Sequence, residues 1–394
     1  MVVLSACLLL TSLRAFGYDF ESGGIYYNIN PDGVSVSVTY QMVEYDIEGF
    51  PSYSSDYQGD VAIPATVNYR GKTYTVVSIG KYAFSNSFVS NVSIPPTVTS
   101  IGIDAFWNCR RLYSVSIPNS VTEIENGAFY SCTVLRNITL PEGLTTIRKS
   151  VFENCGLTCI EFPRSVTTIQ TAAFFGSGLT SIYIPSTITE IESMAFSFCT
   201  DLAYISVSED NPVYDSRDDC NALIESASNN LLTACNNTVI PGSVTSIEPH
   251  AFDCCGRITR VVIPASVTSI GSWTFTYCSN LNEVVCESTT PPQMSRYSFT
   301  NYSPKSLYVP RIAVETYRHT DYWNLFGQIN GFSTAGPNDV NGDNRVDIAD
   351  VTELIDILLG VGDNSYADVN GDGQVTISDV TTLIDILLSG NTGS

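Results

Sequence analysis

The chain has 394 residues, of which 44% are hydrophobic, and it carries a formal net charge of -22 at pH 7. This hydrophobic content excludes a disordered protein, and the length allows two or three domains or one extended repeat array with an appendage. The acidity excludes nucleic acid and anionic lipid as partners, because the sequence offers no basic patch to neutralise phosphate.

The first seventeen residues have the pattern of an export signal. An apolar run from Val2 to Leu10 is followed by small and polar residues, and Ala15-Phe16-Gly17 offers a cleavage site. Leu4-Ser5-Ala6-Cys7 also fits a lipoprotein box, which leaves lipidation as an alternative. No later apolar run approaches the roughly 18 residues needed to span a bilayer. We therefore expect residues 1–17 to be a signal peptide and the protein to be secreted or exposed at a cell surface.

A phrase that reads Val-Thr-Ser-Ile, then a spacer, then Ala-Phe returns at intervals of 22 or 23 residues. Its phenylalanines are Phe84, Phe106, Phe129, Phe152, Phe174, Phe196, Phe252 and Phe275, and the isoleucines five residues before them are Ile79, Ile101, Ile124, Ile147, Ile169, Ile191, Ile247 and Ile270. The longer interval of 56 residues before Phe252 corresponds to two periods plus an insertion. Stacked repeats bury like side chains on like, which one repeat cannot do alone.

Each repeat also carries alternating apolar residues that end at a proline, as in Val115, Ile117 and Pro118. Alternation predicts a half-buried strand, and proline ends it because it has no amide hydrogen to donate. The full phrase, L-x-x-I-x-I-P-x-S-V-T-x-I-x-x-x-A-F-x-x-C, resembles the bacterial surface-antigen (BspA-like) leucine-rich repeats over roughly residues 18–330. The resemblance implies a strand-rich repeat solenoid, a horseshoe or curved stack. Its predicted parts are an N-terminal β cap at 18–78 and repeats at 79–330, with an irregular coil at 208–238 and a C-terminal cap at 287–330.

Six cysteines share one position of the repeat, three residues after the phenylalanine. They are Cys109, Cys132, Cys155, Cys199, Cys255 and Cys278. Serine takes this position at Ser87 and Ser177, which a disulfide framework would not tolerate so readily. We predict buried free thiols stacked along the coils, with disulfides as the alternative.

A short linker at 331–338 precedes two acidic twelve-residue segments, 339–350 and 368–379, that lie 29 residues apart. Calcium prefers six to eight oxygen ligands, and loops of this length supply them from positions 1, 3, 5, 7, 9 and 12. Those positions hold Asp339, Asn341, Asp343, Arg345, Asp347 and Asp350 in the first loop, and Asp368, Asn370, Asp372, Gln374, Thr376 and Asp379 in the second. Position 7 would bind through its backbone carbonyl, so its side chain is not constrained. The pattern predicts two bound Ca2+ ions.

Each acidic loop runs directly into an amphipathic helix, with Val351, Leu354 and Leu358 on one face of the first helix. No helix is predicted to enter either loop. This duplicated pattern is similar to a type I dockerin and occupies 339–394. In that family, loop positions 10 and 11 and the following helix select a cohesin-type partner. Those positions are Ile348, Ala349, Ile377 and Ser378 in this sequence.

The sequence offers little for catalysis. It has only two histidines, His250 and His319, and lacks a Gly-x-Ser-x-Gly elbow, a glycine-rich phosphate loop and a Cys/His zinc pattern. We therefore predict that the protein is not an enzyme. A glycoside hydrolase is the alternative, because dockerins accompany polysaccharide-degrading enzymes and such chemistry needs only two carboxylates. The candidates, all in the irregular coil, would be Asp215, Asp218, Asp219 and Glu225.

Outward-facing residues of the predicted strands form one solvent-facing surface, because alternation sends their neighbours inward. Its aromatic and basic members are Tyr113, Arg136, Tyr183, Tyr204 and Arg260. Such residues are favoured at protein interfaces, so we expect a protein ligand or host surface protein there, with an ordinary solvated face as the alternative. The predicted function is non-catalytic adhesion or protein interaction with calcium-dependent docking. The alternative is a non-hydrolytic component of a polysaccharide-degrading assembly.

Overall fold

The computed structural model describes residues 14–45, 51–332, 338–342, 345–360 and 367–389. These residues form two compact units. Unit 1 contains residues up to 227 with 232–238 and 250–255, and unit 2 contains 228–231, 239–249 and 256–394. Most of the predicted signal peptide, most of the predicted linker and the predicted ligand Asp343 lie outside the described residues. Within the described ranges, no helix has the length and apolar character that a membrane crossing requires.

The regular elements of unit 1 are mainly short strands joined by turns. They are β1 Arg14–Phe16, β2 Phe20–Ser22, β3 Ile25–Ile29, β4 Ser35–Val38, β5 Met42–Tyr45, β6 Pro51–Ser54, β7 Gln58–Ala62, β8 Thr66–Tyr69, β9 Lys72–Ile79, β10 Phe88–Ser93, β11 Ser100–Ile101, β12 Ser114–Ser116, β13 Glu123–Ile124, β14 Thr146–Ile147, β15 Thr168–Ile169, β16 Ser181–Ile184, β17 Glu190–Ile191, β18 Tyr204–Val207, β19 Tyr214–Asp215 and β20 Ala222–Glu225. Strand β1, inside the predicted signal peptide, pairs antiparallel with β5.

The repeat isoleucines of unit 1 form a ladder. Parallel pairing places Ile101 opposite both Ile79 and Ile124 in β9, β11 and β13. The same register places Ile169 opposite Ile147 and Ile191 in β14, β15 and β17. Towards the N-terminus the ladder continues through β4, which pairs in parallel with β9, to the antiparallel strands β3 and β2. The predicted side-by-side stacking of isoleucines is confirmed, and the N-terminal strands extend the same sheet.

The repeat phenylalanines of unit 1 form a second column. Successive rings from Phe84 to Phe196 stack with centroids 5.0 to 5.7 Å apart. All six are almost completely buried. Tyr57 lies against Phe84 with its ring centroid 4.6 Å away, so an N-terminal tyrosine covers the first ring of the column. Offset aromatic stacking adds to the free energy gained from burying the rings.

The predicted thiol column is also present. None of the eleven cysteines of the described residues forms a disulfide, and of these eleven only Cys159 is exposed. The Sγ of Cys109, Cys132 and Cys155 each donates a hydrogen bond to the carbonyl of the repeat phenylalanine one coil earlier, at 3.0, 3.2 and 2.9 Å. The thiol therefore acts as a hydrogen-bond donor between coils, which explains why serine can replace cysteine at this position.

Two strands predicted in the repeats are not formed. Residues 135–141 and 157–163 are described but unpaired, although the sequence there alternates like the other repeats. A cleft of about 340 Å³, lined by Asn137 and Glu161 among others, lies between them. One backbone bond, from Thr158 N–H to the Arg136 carbonyl at 3.3 Å, still joins the two coils beside this cleft. The cleft replaces the strand ladder at this point.

Unit 2 repeats the same construction and ends in helices. Its strands are β22 Ser246–Ile247, β23 Arg260–Ile263, β24 Ser269–Ile270, β25 Glu283–Cys286, β26 Ser306–Pro310 and β27 Gln328–Phe332, and its helices are α1 Val314–His319, α2 Ile348–Leu358 and α3 Ile377–Ser389; β21, Asn230–Ala234, spans the boundary between the units. Strands β23, β25, β26 and β27 form one parallel sheet in that order. Phe275 stacks on Phe299 at 4.6 Å, so phenylalanine stacking within unit 2 extends one coil beyond the last predicted repeat.

Candidate functional site

The strand surface of unit 1 carries the predicted tyrosines. The side chains of Tyr113, Tyr183 and Tyr204 are 56%, 55% and 61% exposed. In the parallel pair of β16 and β18, Tyr183 lies opposite Ser206 and Tyr204 lies opposite Ser181, so the two rings are offset along the strands. Arg136 is also exposed, beside the cleft. These four side chains share outward-facing positions of the coils, as the sequence predicts.

Arg260 lies in unit 2, at the start of β23. Its guanidinium Nε donates to Glu283 Oε1, which occupies the neighbouring strand β25. Both side chains are well exposed, so the pair contributes little to stability. The pairing holds the guanidinium against its own sheet.

The two acidic loops have the same hydrogen-bond geometry at their last position. Asp350 accepts from the N–H of Asn341 at 3.0 Å and of Asp347 at 2.8 Å. In the second loop, Asp379 accepts from Asn370 and Thr376 at 3.1 and 2.8 Å. Position 12 therefore closes each loop onto positions 3 and 9. The aspartate side chain is long enough to reach both amides.

Burial distinguishes the carboxylates of the loops. Asp339, Asp350 and Asp379 are fully buried, whereas Asp368 and Asp372 lie nearer the surface. Burial, together with the nearby negative charge of Asp339, raises the pKa of Asp350, although two backbone amides partly offset this. For Asp379, burial acts in the same direction but the backbone hydrogen bonds prevail, so its pKa is lowered.

Glycines allow the loops to turn. Gly373 at position 6 has φ +86°, and its N–H donates to Asp368 Oδ2 at 2.8 Å. Gly342 and Gly371 at position 4 also adopt left-handed conformations, with φ of +76° and +73°. The requirement for glycine at position 4 was not predicted, although the Asn-Gly-Asp shared by the two loops contains the signal.

Helices α2 and α3 begin at the end of the loops and pack through the predicted faces. Their small core contains Val351 and Leu354 from α2 and Val380 and Leu383 from α3, covered by Val340 and Ala367. Asp347 caps α2 by accepting from Ala349 N–H at 2.8 Å, and Asp350 returns the capping bond to the Asp347 amide. Asp347 and Asp350 therefore belong to the acidic loop and also cap the helix that follows it.

The predicted partner-selecting residues occupy equivalent places on the two helices. Ile348 and Ile377 are the first residues of α2 and α3 and are 70% and 72% exposed. The following residues, Ala349 and Ser378, are exposed as well. Isolated apolar side chains of this size are common at surfaces, but two β-branched side chains in matched positions are available for contact with another protein.

The loop residues fit a hard cation in composition and enclosure. Buried carboxylates close each loop, and oxygen donors occupy the remaining ligand positions, as Ca2+ requires. Among the described residues, no three His, Cys, Asp or Glu side chains already converge in a metal-holding group. The predicted ligand Asp343 is outside that set, and the position 7 ligand would be a backbone carbonyl.

The carboxylates that a glycoside hydrolase would use lie in the irregular coil at 208–238. Asp215 is bound by Arg217 at 2.5 Å and by the Ser226 hydroxyl at 2.6 Å. Burial acts to raise its pKa, but these hydrogen bonds lower it overall, whereas a glycosidase acid needs a raised value. Asp218 and Asp219 lie in a short 3-10 turn, Arg217–Asp219.

The histidines are not arranged with an activated nucleophile. His250 Nδ1 lies 2.9 Å from the buried carboxylate of Asp253, and the adjacent thiol is Cys254. Burial and then the charge of Asp253 raise the pKa of Cys254 to about 12, so this thiol stays protonated at neutral pH. His319 is exposed, with Nδ1 2.8 Å from the carbonyl of Glu315.

Comparison with known families agrees with this geometry. Residues 72–177, 133–217 and 219–320 match the model of the BspA type leucine rich repeat region, in six copies. Residues 337–388 match the dockerin type I domain. Dockerin type I domains are generally calcium-binding and imply a cohesin-type protein partner. No curated protein matches the chain.

Solved structures of bacterial proteins share the fold. A leucine rich cell surface protein from Faecalibacterium prausnitzii A2-165 is 26% identical, with a TM-score of 0.56 over 80% of this chain and 95% of that one. A leucine-rich repeat protein from Bacteroides ovatus ATCC 8483 is 22% identical, with a TM-score of 0.52 over 80% of this chain and 77% of that one, which shows a common fold. BspA-like proteins are typically secreted or at the cell surface. Repeats and dockerin together indicate a non-catalytic protein-binding, surface or docking role, and the chain belongs to the family of BspA type leucine-rich-repeat proteins.

Proposed function

We propose that the protein is a secreted or cell-surface adhesion protein whose repeats bind a protein ligand and whose C-terminal module docks onto a cohesin-type partner when calcium is bound. The observation that carries the docking half is the matched pair of loops, in which Asp350 and Asp379 each accept from the amides of positions 3 and 9. Because the two loops and the helices that follow them are equivalent, the module has two similar surfaces.

Two calcium ions would supply positive charge at the buried carboxylates. Asp339 and Asp350 are both fully buried in the first loop, and their proximity disfavours ionisation of Asp350. A divalent cation offsets the cost of burying two like charges. Because Asp347 and Asp350 also cap α2, the ion would stabilise the first turn of the helix that carries Ile348. Calcium would therefore control how that side chain is presented.

The ligand half of the proposal is supported by the strand surface of unit 1. Tyr113, Tyr183 and Tyr204 are each more than half exposed on outward positions of stacked coils. Tyrosine contributes a large rigid contact area with a polar end at little conformational cost, which suits it to protein interfaces. The coils below it fix the spacing of the rings.

The docking half is tested with the full chain and an immobilised type I cohesin. We expect retention in millimolar calcium, release by EDTA, and loss of retention in the double variant Ile348→Asp/Ile377→Asp. A matched control is Ile312→Asp, because Ile312 is an exposed isoleucine outside the module. Retention that ignores EDTA, or that survives the double variant, would contradict calcium-dependent docking through these helices.

The ligand half is tested by capture of proteins from host cell-surface extracts. The triple variant Tyr113→Ala/Tyr183→Ala/Tyr204→Ala should lose the captured protein, whereas Tyr277→Ala should retain it, because Tyr277 is exposed outside the strand surface. Undiminished capture by the triple variant would remove the strand surface from the proposal and direct attention to the irregular coil at 208–238.

A further inference from the structure

A second surface of unit 1 forms an open groove of about 530 Å³. Apart from Tyr53, its lining residues occupy three positions that recur in successive coils. These positions lie three residues before, two residues before and one residue after the repeat phenylalanine. The groove lies on the turn that contains the phenylalanine, and none of the predicted strand-surface tyrosines lines it. Its volume is within the range of small-molecule sites.

One side of the groove is aromatic. Tyr53 and Tyr82 stack with centroids 3.9 Å apart and planes 12° from parallel, and the Lys81 ammonium lies 4.7 Å above the Tyr82 ring. Trp107 and Tyr130 follow in the next two coils, each one residue after a repeat phenylalanine. The phenylalanines beside them are 5.1 Å apart, so these two partly exposed rings are held at the spacing of the coils.

The other groups of the groove are polar. Asp104 is half buried, and burial raises the pKa of its carboxyl while Lys81 acts in the opposite direction. Among the described residues, no hydrogen bond to this carboxyl contributes to the pKa shift. Asn126, Lys149 and Ser150 complete the rim with donors and further acceptors.

The backbone holds this groove rigidly. The amides of Tyr82, Asp104 and Gly127 each donate to the carbonyl of the next coil at 3.0 Å. All three have left-handed φ, from +51° to +65°. A Cβ at Gly127 would collide with the carboxylate of Asp104, so the glycine leaves room for that group in the groove. A site fixed in this way loses little conformational entropy when a ligand binds.

The geometry points to a neutral oligosaccharide as the occupant of this groove, with sugar rings stacked on Trp107 and Tyr130 and hydroxyls bound by Asp104, Asn126 and Lys149. The C–H groups of a pyranose face are weakly positive and suit the negative face of an aromatic ring. Each hydroxyl both donates and accepts a hydrogen bond, which matches a rim that mixes a carboxylate, an amide and an ammonium.

Charge and hydrogen bonding favour this occupant over two others. A proline-rich peptide also fits aromatic grooves, but it presents mainly carbonyl acceptors and would leave Asp104 without a donor. An acidic polysaccharide would bring its own carboxylates close to Asp104, which is an unfavourable contact between like charges. This binding does not depend on the docking or protein-ligand roles proposed above.

The full-length protein is titrated calorimetrically with cellohexaose, xylohexaose, mannohexaose, N-acetylchitohexaose and, as the peptide alternative, decaproline. We expect at least one hexasaccharide to bind. Its affinity should fall about tenfold or more in Trp107→Ala and about fivefold in the isosteric Asp104→Asn, in keeping with loss of a stacked ring and of a charge-assisted hydrogen bond. The control Tyr277→Ala, which removes an exposed tyrosine outside both the groove and the strand surface, should bind as the unaltered protein does.

Three results would overturn the assignment. They are the absence of hexasaccharide binding at millimolar concentrations, unchanged affinity in a folded Trp107→Ala variant, and binding of decaproline alone. If Trp107→Ala does not fold, Trp273→Phe leaves the partly exposed Trp107 and the fully buried Trp323 as the two tryptophans. A hexasaccharide should then change the emission, and an unchanged spectrum at saturation of the calorimetric signal would contradict binding at Trp107.

Discussion

Truncation of one ring in the phenylalanine column should destabilise unit 1 strongly. Phe129 is fully buried between Phe106 and Phe152, with ring centroids 5.1 and 5.7 Å away. Phe129→Ala removes both stacking contacts and leaves a cavity that the neighbouring coils cannot fill without losing their own register. Substitutions of this kind cost about 3 to 5 kcal/mol. Stacking supplies about 0.5 to 1.5 kcal/mol of this for each aromatic pair, beyond the burial of the ring.

Urea denaturation followed by circular dichroism measures this loss. Phe88→Ala is the matched control, because Phe88 is mostly exposed and its ring lies 5.0 Å from the Arg111 guanidinium. It should cost less than about 1 kcal/mol. Since repeat arrays depend on neighbour contacts, the slope of the transition must be compared as well as its midpoint. A loss below about 1 kcal/mol for Phe129→Ala, or one equal to that of Phe88→Ala, would refute the column as a source of stability.

Three further predictions concern the coils. In native protein at pH 8, iodoacetamide should modify exposed Cys159 well before Cys109, whose pKa is raised by burial to about 12, and peptide mass spectrometry reports the order. Cys155→Val, which loses the thiol donor, should lower the free energy of unfolding by about 1 kcal/mol more than Cys155→Ser; equal losses would contradict a role for that bond. Gly127→Ala should cost about 1 to 2 kcal/mol, because φ is +65° and its Cβ would displace Asp104, and an unchanged melting temperature would contradict this.

The fold could be predicted because its core uses the same residue types in eight coils. Ile101 and Phe106 have counterparts of the same type at each period, and the observed pairing and stacking follow from that identity. Phe299 was not predicted to be a repeat phenylalanine, because its coil lacks the preceding Val-Thr-Ser-Ile phrase. The unpaired segments 135–141 and 157–163 have the usual alternation, so no local signal distinguishes them from strands.

The groove could not be predicted from the repeat. Trp107 and Tyr130 occupy a position that holds Ser85 and Glu153 in adjacent coils, so it has no constant residue type. The chemistry of the groove arises from side chains that are neighbours in space but lie one coil apart in the sequence. By contrast, the acidic loops could be located from spacing alone, because every ligand of a loop lies within twelve consecutive residues.

The constant register of the column has a consequence for how such a gene can vary. Excision of residues 107–129 would remove one whole period and bring Phe152 next to Phe106 and Ile147 next to Ile101, with the same partners on either side. Duplication would add a period as simply. Recombination can therefore change the number of coils and shuffle their outward residues while each new junction repeats a contact that the protein already makes.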